Sequence, residues 1–125
     1  MSNRLQEEVR RAQAWEERRD LMFYPHWQAL YEATNDVLDR SSLSLETLSI
    51  VLDALALDDE LEHIQALLRD RPELALQVVI DAPGHPDYRA HWQAAVLAGE
   101  LAPRHILNRY LNDEDEYVRR RARLS

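Results

Sequence analysis

The chain has no cysteine and no lysine, and only two glycines, Gly84 and Gly99, in 125 residues. The lack of cysteine rules out a disulfide framework and thiolate chemistry, and it fits a cytoplasmic protein. The lack of lysine closes the Schiff-base route, and no Gly-x-Ser-x-Gly nucleophile elbow occurs. Two glycines are too few for dinucleotide-binding and P-loop folds, whose backbone must approach a phosphate closely. Strand-rich folds with tight primed turns are equally unexpected. No apolar run approaches the ~20 residues that span a bilayer. Residues 1–20 are charged throughout, so no secretory signal is expected either. All 15 basic residues are arginine, which reads as the codon bias of a GC-rich bacterial genome rather than a demand for guanidinium.

What the chain does hold is apolar material in helical rhythm. Apolar residues make up 46% and charged residues 30%, the balance of a soluble globular protein. Its length suits one domain spanning 1–125. Leu5, Val9, Ala12, Trp15 and Met22 fall on one stripe, predicting a first helix over 4–23. Glu7/Arg11 and Glu16/Arg19 are expected to pair on its wet side. Pro25 stops this helix, and Trp27, Leu30, Tyr31, Thr34, Val37 and Leu38 predict a second to about residue 40. The two form an N-terminal pair or cap over 1–43. Ser44 is an N-cap candidate for a third helix carrying Leu45, Leu48, Val51, Leu52 and Leu55. Asp59 with Glu62 resembles a capping box for a fourth, which carries Leu61, Ile64, Leu67 and Leu68. Pro72 opens a fifth helix to Asp81, whose near-continuous apolar run predicts a central, buried position. Beyond the Ala82-Pro83-Gly84 turn, helices are expected from Pro86 to Glu100, Pro103 to Leu111 and Glu114 to Arg123. The fold class is all-α, with seven or eight helices. Its core is expected to include Leu48, Leu52, Ile64, Leu68, Val78, Val79, Trp92, Val96, Leu107 and Val118.

One pattern recurs. His85-Pro86-Asp87-Tyr88-Arg89 is echoed about thirty residues later by Asp115-Glu116-Tyr117-Val118-Arg119, and each opens an apolar run. A period near thirty is that of stacked helical hairpins. With Ala94-Ala95, Gly99-Glu100-Leu101 and Ala122, the stretch 84–123 resembles the HEAT or HEAT-like repeat family. The resemblance implies a short α-solenoid of antiparallel helical hairpins over 44–125. It also implies a binding scaffold rather than a reaction, with Arg89 and Arg119 in equivalent roles, each tying its unit to the next.

No set of residues carries an evident chemistry, so no enzyme is expected. His85 and His91 are too far apart in sequence to share a helix face, and no His-Glu-x-x-His occurs. Neither a metal nor a cofactor is expected. The acids at 113–116 and the arginines at 119–121 suit the two ends of a helix macrodipole, without the glycine bend of a calcium loop. Trp15, Trp27 and Trp92 all stand at core-compatible positions. Charge is the sharper signal. Residues 32–87 hold 13 acids and 3 arginines, a net of −10, while the remainder holds 10 acids and 12 arginines, a net of +2. Asp58, Asp59, Glu60 and Glu62 crowd one helix start and form the best candidate binding cluster. They point to a basic protein partner, in the manner of a bacterial immunity or antitoxin-type inhibitor that covers a toxin or effector domain. A non-catalytic subunit or adaptor of an enzyme complex is the alternative. A HEAT-like nucleic-acid binder fits less well, because the chain lacks a basic stripe.

Overall fold

The computed structural model describes residues 3–18, 23–40 and 42–124. The described residues are all helical, with eight α-helices and no strand. These are α1 (Asn3–Arg18), α2 (Trp27–Leu38), α3 (Leu45–Leu57), α4 (His63–Arg69), α5 (Pro72–Asp81), α6 (Tyr88–Leu101), α7 (Arg104–Leu111) and α8 (Glu116–Arg123), with a 3-10 turn over Ala82–Gly84. None of them is long and apolar enough to cross a membrane. The expected end of the first helix, with Met22 and the Glu16/Arg19 pair, lies outside the described residues.

Helices α3 and α6 form the centre of the molecule. Leu48, Ile50, Val51, Leu52 and every residue from Ala54 to Leu57 are buried. A helix apolar nearly all round needs neighbours on every side, and α3 packs against α1, α2, α4, α5 and α6. That central place was expected for α5. Helix α5 instead buries one stripe, Leu74, Ala75, Val78 and Val79, and leaves Ile80 46% exposed. Helix α6 packs against α3, α4, α5, α7 and α8. Its buried Ala90, Ala94, Ala95 and Ala98 let those neighbours approach closely. Eight of the ten expected core residues are buried, whereas Val96 and Leu107 lie at its margin, half-exposed.

The caps decide where each helix points. Ser44 caps α3, its Oγ accepting from the Thr47 N–H at 3.1 Å, and Pro72 opens α5. Asp87 caps α6 and Asp115 caps α8, each carboxylate accepting backbone N–H groups from the first turn. The two caps are 28 residues apart (115 − 87), so the internal echo holds at the caps but not at the arginines. Arg89 is the second residue of its helix and Arg119 the fourth of its own. Their jobs differ accordingly. Arg89 donates to Asp87 and reaches Glu16 of α1 at 2.7 Å, 73 residues away in sequence. Arg119 donates to the Asp113 and Glu114 carbonyls just before its own helix and pairs with Glu116. Of the two, only Arg89 ties distant elements together.

Two histidines join the caps. His85 receives the Asp87 N–H at Nδ1 and faces the Asp53 carboxylate of α3 through Nε2, 2.7 Å away. Its Nδ1 therefore acts as the acceptor, while Nε2 faces the carboxylate. His91 faces the Asp113 carboxylate with Nδ1 at 2.8 Å and the His85 carbonyl with Nε2. Both of its partners are oxygen atoms, so the ring bridges the Asp113 carboxylate and the His85 carbonyl. Asp113 in turn accepts from the Asp115 N–H. The starts of α6 and α8 are thus locked to each other and to α3. The contact between the two histidines is from the His91 ring to the His85 backbone carbonyl.

Candidate protein-binding face

The four acids expected to form one cluster divide into different tasks. Asp58 is 1% exposed and serves the fold. Its backbone N–H closes α3 on the Ala54 carbonyl, its carbonyl accepts from the Glu62 N–H, and its Oδ2 accepts from the Ile64 N–H at 2.8 Å. The Tyr31 hydroxyl donates to its Oδ1 at 2.6 Å. Burial pushes the Asp58 carboxyl above its ordinary value, against the pull of these hydrogen bonds, and pushes the Tyr31 phenol up as well. Asp58 is accordingly removed from the binding cluster. The expected Asp59–Glu62 capping box is not formed either, because α4 begins only at His63 and Asp58 does the capping. Glu62 precedes the helix at φ 55°, alone among the described non-glycine residues in the left-handed region.

Asp59, Glu60 and Glu62 remain on the turn that Asp58 pins, and two recesses open on either side of it. The first is a groove of about 310 Å³ lined by Trp15, Phe23, Tyr24, Trp27 and Leu61, with Glu16, Asp59 and Glu60. Its aromatic wall is continuous. Trp15 and Tyr24 ring centroids are 5.3 Å apart, Tyr24 and Trp27 5.2 Å, and Trp27 stacks on Tyr31, which leads down to Asp58. Phe23 and Leu61 are 80% and 64% exposed at its rim. The second is an open cleft of about 700 Å³ that again includes Asp59, now with Glu62, and is walled by Tyr88, Trp92, Tyr117, Arg120 and Arg121. There the Arg121 guanidinium lies 5.0 Å from the Trp92 ring centre and Arg120 5.4 Å from that of Tyr117.

Asp59 therefore stands between both recesses. Burial raises its carboxyl, Arg89 opposes this from a distance, and Glu60 and Glu16 add to it. Among the described residues, no side chain pairs with it directly. Elsewhere in the central segment, five acids have a cationic or imidazole partner. Glu32 and Asp36 are held by Arg4, Asp39 by Arg71, Asp53 by His85 and Asp87 by Arg89. Only Arg4 and Arg89 bring positive charge to these acids from outside the segment, and Asp59, Glu60 and Glu62 remain clustered at a recess. The aromatic groove went unforeseen, because its tryptophans were assigned to the core. The density of rings in Phe23-Tyr24-Pro25-His26-Trp27 was the available signal.

Comparison with protein-family models, with curated proteins and with solved structures finds no match for the chain.

Proposed function

We propose that this chain is a non-catalytic protein-binding module, a short stack of antiparallel HEAT-like helical hairpins over 44–125, whose face around residues 59–62 docks a basic protein. Asp59 is the observation that carries this. Among the described residues it is a half-buried carboxylate with no directly paired cation, and such a group costs stability. A cationic surface arriving there supplies the missing counter-charge, and the adjoining rings supply the aromatic contact area on which binding energy concentrates. Glu62 adds support, since a glutamate is kept at a positive φ where glycine folds more easily. In its most concrete form the module is an immunity or antitoxin-type inhibitor that covers a basic toxin or effector domain. The C-terminal arginines weigh against nucleic acid. Arg119 and Arg123 pair with Glu116, and Arg120 and Arg121 lie over rings, so they form no stripe of phosphate contacts.

A photo-crosslinking side chain at position 60, compared with one at Glu73, tests the proposal in cells of the native host. Position 60 is expected to capture a protein whose contact surface is rich in arginine and lysine, and position 73 is not. Capture of an acidic surface, or equal capture from both positions, contradicts it.

A further inference from the structure

We propose that the groove lined by Trp15, Tyr24, Trp27, Asp59 and Glu60 is a receptor for a single arginine side chain of the basic partner. This deepens the docking proposal above and rests on it. The size of the groove comes first: about 310 Å³ lies at the small end of ligand recesses, which run from roughly 300 to 1,000 Å³. It has room for one long side chain rather than a helix. Its composition comes second. An aromatic wall with carboxylates at the rim suits a flat, weakly hydrated cation, which lays its face on a ring and turns its edge to paired oxygens. Of the three rim acids, Glu16 is held by Arg89, while Asp59 and Glu60 pair with no cation among the described residues.

The strongest argument is internal. The neighbouring cleft has the same ingredients, the rings of Trp92 and Tyr117 beside Asp115 and Glu116, and there the chain supplies the cation itself. Arg121 lies over Trp92 and Tyr117, and Arg120 over Tyr117. The first groove holds no arginine among its described lining residues. A guanidinium laid on the rings in cis in one recess points to a guanidinium supplied in trans in the other. A compact, strongly hydrated ammonium matches the ring wall less well than guanidinium does.

The test uses the full chain and three small probes: N-acetyl-arginine amide, N-acetyl-lysine amide and the neutral isostere N-acetyl-citrulline amide. The indole N–H signals of Trp15, Trp27 and Trp92 in a nitrogen-15 correlation spectrum report the two recesses separately. The arginine probe is expected to move Trp15 and Trp27 saturably and to leave Trp92 in place. The lysine probe should bind several-fold more weakly and the citrulline probe at least tenfold more weakly. Asp59→Asn with Glu60→Gln should abolish the arginine effect while the remaining spectrum stays dispersed. Equal binding of arginine and lysine, shifts that survive the double substitution, or no saturable shift at Trp15 and Trp27 each overturn the arginine receptor. None of these results touches the docking proposal, which the crosslinking experiment decides independently.

Discussion

Asp58→Ala is the perturbation whose cost the structure defines most closely. The substitution removes the acceptor of the N–H of Ile64, a fully buried residue in the first turn of α4, and of the Tyr31 hydroxyl. Loss of a helix cap costs about 0.5–2 kcal/mol, and leaving a buried donor unpaired costs about 1–3 kcal/mol. The two overlap at Ile64, so a loss of about 2–4 kcal/mol is expected. That is a large part of the ~5–15 kcal/mol that holds a domain together. At about 3–5 °C per kcal/mol for a chain of this length, the melting temperature should fall by roughly 6–20 °C. Asp58→Asn keeps an oxygen for Ile64, and the Tyr31 hydroxyl can turn to accept from the new amide, so its cost should stay below about 1 kcal/mol. The pH dependence carries a sign. Burial raises the Asp58 carboxyl in the folded state, so the folded protein takes up this proton at a higher pH than the unfolded chain. Wild-type stability relative to Asp58→Asn should therefore rise as pH falls from neutral through that raised value, and level off below the unfolded value of ~3.9. Urea denaturation followed by circular dichroism measures all of this. A loss below about 0.5 kcal/mol for Asp58→Ala, or an asparagine variant as unstable as the alanine one, refutes the assignment of Asp58 as the pin of this turn.

Other positions discriminate in the same assay. Leu68 is fully buried, so Leu68→Ala should cost about 2–5 kcal/mol, whereas Val96→Ala at the core margin should cost under about 1 kcal/mol. Glu62→Gly relieves a left-handed backbone that costs a non-glycine residue about 1–2 kcal/mol, and a net gain of about 0.5–1 kcal/mol is expected after the entropy of glycine is counted. Arg89→Ala should lower stability by about 0.5–1.5 kcal/mol, and a double-mutant cycle with Glu16→Gln should recover most of it as coupling. Arg119→Ala, whose partners lie in its own helix start, should show no coupling to any residue of α1.

How much of this was legible in the sequence depends on the range of the interaction involved. Helix positions follow from local signals, and Ser44 and Pro72 mark starts that the structure keeps. The start of α4 was misplaced because two adjacent aspartates offer the same local signal. Which of them turns inward is decided by Tyr31, 27 residues earlier in the chain. The centre of the fold was likewise misassigned to α5, since an apolar run in a ten-residue helix does not reveal how many neighbours surround it. At the binding face, the acidic cluster was visible as composition, but its partition was not. Asp58 turned out structural, and the acids of α2 and of its C-cap, Asp39, were matched by Arg4 and Arg71 from elsewhere in the chain. The aromatic groove was hidden for the same reason. Trp15 and Trp27 sit at core-compatible spacing in their own helices, and only the juxtaposition with the 58–61 turn leaves a recess beside them.

The most direct measurement of the central claim is the association rate of the captured partner with three proteins of defined charge, followed as salt rises. Asp59→Arg/Glu62→Arg reverses two acids at the recesses. Glu46→Arg/Glu73→Arg makes the same change in net charge at exposed positions lining neither. The docking proposal predicts that wild type and the Glu46/Glu73 variant associate at similar rates. Those rates should decline as salt rises toward about 0.5 M, where the Debye length shrinks to roughly 4 Å, and the Asp59/Glu62 variant should be at least tenfold slower at low salt. Equal slowing of both variants means that only overall charge matters, and association indifferent to salt means that charge does not matter at all. Either result contradicts a specific acidic docking face around Asp59.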